Sequence, residues 1–304
     1  MTSASPKNIV ASIRQKLLNL ARKEGRPFNE VLQYYAMERF LYRLSQTRHA
    51  DAFVLKGALL FRVWATPDSR STRDIDFLAY LNNSPADLAA VIKDVCSYEY
   101  LHDGIVFDPT SVAAAIIKEN AEYEGVRIRF LGNLASARVH MQVDVGFGDT
   151  ISPKATIQDY PTMLPLAAPR LAVYPPETVV AEKVEAMVKL GILNSRMKDF
   201  FDVWRLCQIA TFTSQDLKSA IQQTFNNRGT ALVSFAELKS ELKSEKRFEQ
   251  QWAAFRSKSQ VAAPAEFHLV LDALGDFLSP VLAVAPDRTI CAATWSPGGP
   301  WIAD

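Results

Sequence analysis

Asp74-Ile75-Asp76-Phe77-Leu78-Ala79-Tyr80-Leu81 constrains this chain more than any other segment. Its alternation reads as a β-strand that turns Asp74 and Asp76 to one face and Ile75 and Phe77 to the other. Two like charges at adjacent same-face positions repel, so a fold that keeps them needs positive charge beside them. A divalent metal is the simplest source. The competing reading is a solvated strand whose acids pair with Arg70 and Arg73, and for the two acids alone the readings are evenly matched.

The surrounding chain supports a globular protein. Its 304 residues are 48% hydrophobic, enough for one large domain or two ordinary ones. No apolar run reaches the ~18 residues that would span a bilayer, and MTSASPKNIV lacks a signal-peptide core, so a soluble, cytoplasmic protein without membrane partners is expected. The three cysteines, Cys96, Cys207 and Cys291, are far apart and read as reduced thiols. The net charge of +1 hides an asymmetry, since residues 1–73 hold 13 Lys/Arg against 5 Asp/Glu. A basic N-terminal third can attract RNA, although solvated helix surfaces explain it equally simply.

Periodicity predicts two helices across residues 8–48, broken at Gly25-Arg26-Pro27, and a short strand at Phe53-Val54-Leu55. Gly57 then turns the chain into a helix, and 67–71 reads as a loop. A helix from Pro85 to about Glu99 is capped by Ser84. Val126, Ile128 and Phe130, then Val139, Met141, Val143 and Val145, alternate as two neighbouring antiparallel strands, which puts Asp144 on a polar strand face. The proline-rich 153–176 reads as an extended, irregular connection. Helices follow at about 176–190, 195–210, 214–226, 234–257 and 265–283. The domain reading is 1–152 for N-terminal helices and a core sheet, 153–176 for the connection, 177–284 for a helical domain, and 285–304 for a tail of undefined order.

Four elements carry chemistry. Phosphoryl and nucleotidyl transfer needs positive charge at the triphosphate and at the attacking hydroxyl, which two Mg²⁺ ions ~4 Å apart supply. Asp74 and Asp76 as bridging carboxylates, with Asp144 as a third, meet the oxygen preference of Mg²⁺. Lys56-Gly57-Ala58 leads from strand to helix, where backbone amides can approach a phosphate. Lys183 emerges from the apolar face of its helix among Val179, Val180, Ala186 and Met187; it either snorkels past the edge or reaches an anion. In Asn194-Ser195-Arg196-Met197-Lys198-Asp199-Phe200-Phe201-Asp202, Ser195 reads as a helix cap. Asp199 reads as the ion-pair partner of Lys183, and Asp202 as an acid serving the helix dipole. The histidines at 49, 102, 140 and 268 are scattered and carry no motif.

In this order, Lys56-Gly57-Ala58, Arg73-Asp74-Ile75-Asp76-Phe77, Glu182-Lys183 and Lys198-Asp199-Phe200-Phe201-Asp202 resemble the AbiEii/AbiGii (MenT-like) nucleotidyltransferase toxins of type IV toxin–antitoxin systems. The resemblance covers roughly residues 30–210. It implies an α+β chain with the DNA polymerase β-like nucleotidyltransferase fold, a small mixed sheet flanked by helices, and a helical C-terminal part. It further implies an NTP substrate with Mg²⁺, transfer onto RNA with tRNA 3′ ends as the leading acceptor, a block of translation, and an antitoxin partner encoded nearby. Carried over by position, Asp74 and Asp76 match the metal pair, Lys183 the nucleotide-contacting lysine, and Asp199 the late essential acid. Lys56, Gly57, Ser71, Thr72 and Lys183 are the candidates for phosphate contact. Gly57-Ala58 departs from the family's Gly-Gly or Gly-Ser, which removes a phosphate-binding hydroxyl, and the gap from Gly57 to Asp74 is longer than usual. Two alternatives stand beside this reading: nucleotidylation of a protein target or of the chain itself, and a catalytically silent RNA- or partner-binding module.

Overall fold

Alternation builds the sheet and turn chemistry limits its strands. The computed structural model describes residues 6–64, 70–119, 123–282 and 292–304; the expectations for 67–69, Cys291 and the start of the C-terminal segment fall outside them. The described chain forms two compact units. The first comprises residues up to 64 with 72–148 and 157–173, and the second 70–71, 149–156 and 174–304.

In the first unit, α1 (Pro6–Glu24) and α2 (Phe28–Ser45) are separated by the expected break, where Gly25 adopts φ +64°. α2 is buried along nearly its whole length. Its Arg43 closes a buried ion pair with Asp103 at 2.7 Å, and its Phe40 packs against Phe107 and Phe130. β1 (Phe53–Lys56) passes through a 3₁₀ turn at Gly57–Leu59 into the short α3 (Leu60–Val63). β2 (Asp74–Ala79) follows, then α4 (Pro85–Ser97), whose first turn is closed by Ser84 Oγ accepting from the Asp87 amide.

β3 (Ile105–Glu119), β4 (Tyr123–Leu134), β5 (Ala137–Gly146), β6 (Thr156–Asp159) and β7 (Arg170–Val173) complete a seven-stranded mixed sheet of order β3-β4-β5-β2-β1-β7-β6. β2 is central, antiparallel to β1 and parallel to β5. β3 was not anticipated. Its register shifts between Asp108 and Ala113, around Pro109, which cannot donate to a ladder. The 153–176 stretch is not wholly irregular either, since β7 pairs in parallel with β1.

The second unit is mainly helical: α5 (Pro176–Leu190), α6 (Met197–Ile209), α7 (Ser214–Asn227), α8 (Phe235–Ser244), α9 (Arg247–Ser259) and α10 (Phe267–Leu278). The single helix expected over 234–257 is two, broken at Glu245-Lys246. A small sheet joins β8 (Phe212–Thr213), β9 (Ala293–Trp295) and β10 (Trp301–Ala303) in the order β10-β9-β8. Residues 292–304 are therefore ordered: Trp295 Nε1 donates to the Cys207 carbonyl and Trp301 Nε1 to that of Phe277. Cys96 and Cys207 are buried free thiols. No helix among the described residues is long and apolar enough to cross a membrane.

Candidate active site

The strand register assembles the first cluster. β2 alternates as expected, with Ile75 and Phe77 buried and Asp74 and Asp76 half-buried on the opposite face. Lys56 on β1 lies opposite Asp76, Asp144 on β5 lies beside Asp76 on the other flank, and Arg127 on β4 lies opposite Asp144. One row across four strands thus reads Lys56, Asp76, Asp144, Arg127. The next row holds Asp74, Gln142 and Arg129. The first row therefore carries a cation at each end, Lys56 and Arg127, with Asp76 and Asp144 between them.

Gly57 makes room for this row. Its φ is +74°, a conformation that L side chains rarely adopt, and a Cβ there would fall on the Asp76 carboxylate. Asp144 is held by two side chains of neighbouring positions on the sheet. Arg127 donates to both its oxygens, Nε to Oδ1 at 2.8 Å and Nη2 to Oδ2 at 2.7 Å, and Gln142 Nε2 adds a longer bond of 3.3 Å. Among the described residues no group of three or more His, Cys, Asp or Glu is arranged to hold a metal ion. Upstream of the pair, Thr72 donates its amide to Tyr34 Oη at 3.0 Å, while Ser71 is exposed.

The second cluster belongs to α5 and α6. Asp199 and Asp202 are one turn apart on α6 and fully buried, an arrangement that costs heavily unless cations satisfy both. Lys183 on α5 supplies the shared one, its Nζ 2.8 Å from Asp199 Oδ1 and 2.8 Å from Asp202 Oδ2. Arg70 donates to both oxygens of Asp202, at 3.0 and 2.9 Å, and Arg196 Nε lies 2.6 Å from Asp199 Oδ2. Burial alone would pull the Lys183 proton off, but Asp199 and Asp202 outweigh it and hold the ammonium above its ordinary range. Burial likewise pushes both acids up; Lys183 and Arg196 at Asp199, and Arg70 and Lys183 at Asp202, bring them below the usual carboxylate range. Arg70, Lys183 and Arg196 thus surround the two acids, with these cationic side chains partly exposed and the carboxylates buried.

The model of the nucleotidyl transferase AbiEii toxin family, of type IV toxin–antitoxin systems, matches residues 39–276. This chain belongs to that family. It is a nucleotidyltransferase, and its mixed sheet flanked by helices, with a helical C-terminal half, is the expected fold class. Solved structures similar to this AbiEii-family chain include JHP933 from Helicobacter pylori, at 14% identity over 83% of this chain and 93% of that one, TM-score 0.46. An antigenic nucleotidyltransferase-like protein from Paracoccidioides brasiliensis matches at 14% identity over 64% and 84%, TM-score 0.34. No curated protein matches the chain.

In this AbiEii-family nucleotidyltransferase, Lys56, Gly57, Asp74, Asp76 and Asp144 lie together in the first unit, and Lys183 and Asp199 lie together in the second. Sequence reasoning considered Arg70 only as a partner of Asp74 and Asp76, did not foresee its grip on Asp202 or that of Arg196 on Asp199, and gave Asp202 only a dipole role. It also missed Arg127, although two adjacent alternating strands with Arg127 and Asp144 on their polar faces already contained that pair. Ser195 is not the cap of α6. Arg196 occupies that position, and the Asn194 side chain accepts its amide at 2.7 Å.

Proposed function

We propose that this chain is a Mg²⁺-dependent toxin that transfers a nucleotide from an NTP to RNA, with tRNA 3′ ends as acceptor, and so blocks translation in the cytoplasm until a cognate antitoxin restrains it. The observation that carries the reading is the Asp74–Asp76 pair on central β2, with the Cβ-less Gly57 against Asp76. Two hard carboxylates on one strand face suit Mg²⁺, which commonly takes one or two protein carboxylates and completes its shell with water and substrate phosphate. Asp74 and Asp76 would hold it, while Asp144 is assigned to anchoring Arg127, which engages both its oxygens. Bound Mg²⁺ supplies positive charge at the triphosphate and at the attacking hydroxyl.

The chain's own residues take the remaining roles. Lys183, kept protonated by Asp199 and Asp202, offsets triphosphate charge. Lys56, at the end of β1, and the backbone of Gly57 are assigned to phosphate contact, with Ser71 and Thr72 as further candidates. Asp199 fixes the Lys183 ammonium in place.

The test is label transfer from each α-labelled NTP, in Mg²⁺, to total RNA and separately to a protein extract. Label should enter RNA, and Asp76→Asn or Lys183→Ala should lower transfer roughly 100-fold or more. Full transfer by either variant overturns the mechanism. Label in protein alone moves the acceptor to a polypeptide.

A further inference from the structure

The polar face of the sheet does not end at the carboxylate pair. Along β5, Gln142, His140 and Arg138 continue the face that carries Asp144, and β4 sets Arg129, Leu131 and Asn133 opposite them. Arg129, His140 and Arg138 are exposed, whereas the other face of the same strands is buried from Val126 to Val145. Their side chains are thus not needed for packing. Neither Arg129 nor Arg138 meets an acid among the described residues; Arg129 bonds instead to the Gln142 amide oxygen at 3.2 Å. On the neighbouring edge strand, Ala113 and Ala115 keep the relief low beside Arg129 and Arg127. The nearest edge acid, Asp108, is turned onto its own bulge, where it accepts from the Thr110 amide and hydroxyl.

We infer that this open face of β4 and β5 is the track for the acceptor RNA strand, leading its 3′ end to Asp74 and Asp76. The inference rests on the RNA-transfer reading above and names the surface that reading requires. Three considerations favour an RNA strand over a protein partner. The face is lined mainly with cations and amide donors, with Leu131 and the exposed edge residue Val106 as its larger apolar contributions. From Gln142 to Arg138 it runs on the order of 13 Å, the reach of a few nucleotides. Three strands are about 10 Å wide, which suits a single strand and is narrow for a duplex, and RNA ends are what proteins read most readily. The same register that places Gln142 beside Asp74 fixes the direction of the track.

The experiment uses the full chain, total tRNA and a short single-stranded RNA oligonucleotide as acceptors, and α-labelled NTP. The double variant Arg129→Ala/Arg138→Ala should raise KM for RNA about tenfold or more and leave KM for NTP and kcat at saturating RNA within about twofold. It should also flatten the plot of log affinity against log salt by about 1.4, the loss of two single-strand phosphate contacts. A control, Arg22→Ala/Lys23→Ala on the exposed side of α1, should change none of these. Unchanged KM and salt slope in the sheet variant, or a loss found only in the α1 variant, overturns the track while RNA transfer itself stands. A wild-type chain that labels protein and leaves RNA unlabelled removes the underlying reading, and the track with it.

Discussion

Arg70 grips both oxygens of Asp202, and Asp202 shares one of those oxygens with Lys183. The arginine therefore reaches the lysine through a carboxylate that has no exposure of its own. Removing one member of a buried charge cluster leaves the others uncompensated, which costs about 3–5 kcal/mol. Arg70→Ala should lower the midpoint of thermal unfolding accordingly and raise KM for NTP. Arg70→Lys should recover only part of this, because a single ammonium cannot match the two-point grip. Melting curves and NTP titrations on the two variants check it, and full recovery by lysine would refute the role given to that geometry.

Gly57→Ala is expected to fail for two reasons that can be separated. The left-handed backbone costs roughly 1–2 kcal/mol of stability, and the added methyl must displace the Asp76 carboxylate. Activity should thus fall roughly 100-fold or more while the melting point drops only modestly. Equal, proportionate losses of both would argue that the residue matters for folding alone.

Asp144 and Arg127 should behave as a couple. Asp144→Asn is expected to weaken Mn²⁺ binding by calorimetry by no more than about threefold, against a loss of measurable binding in Asp76→Asn. A double-mutant cycle with Arg127→Ala should return a coupling on the order of 1 kcal/mol, as for a partly exposed bidentate pair. Abolished Mn²⁺ binding in Asp144→Asn would restore it as a ligand.

The pH dependence of stability follows from the buried charges. Asp199 and Asp202 are held below their ordinary 3.8, so their contribution is complete above that value and is lost as pH falls through the folded-state values beneath it. Lys183 is held above its ordinary 10.5, so its contribution is complete below that value and is lost as pH rises beyond it. Between these limits the cluster should add a constant amount. Denaturant titrations of wild type and Asp202→Asn across this range should differ by a fixed increment that shrinks only at the two extremes.

Much of this architecture could be read from residue patterning. Alternation identified β2, β4 and β5, whereas β1 was read from its short apolar run, and Phe53, Val54 and Leu55 are all buried. β3 escaped because Asp108-Pro109-Thr110-Ser111 interrupts it and its later half places alanines where a pattern would need contrast. The Lys183–Asp199 pair was legible from a lysine on an apolar helix face, since such a lysine needs an anion. Arg70–Asp202 was not, because its two members are more than a hundred residues apart and nothing in local sequence binds a loop arginine to a distant helix. The order of residues 292–304 was equally hidden, since it depends on pairing with the two-residue β8 and on indole bonds to carbonyls of α6 and α10.

The central place of β2 has a consequence for when this chain can act. Its partner β1 precedes it closely, but β5 arrives only after α4 and the long β3–β4 hairpin have been made. Joining Asp76 to Asp144 closes a large loop, and such non-local pairing is slow to form. The row of Lys56, Asp76, Asp144 and Arg127 is thus complete only once β5 has joined β2. A nascent or clipped chain that stops short of β5 carries both aspartates on a strand whose β5 flank is unpaired.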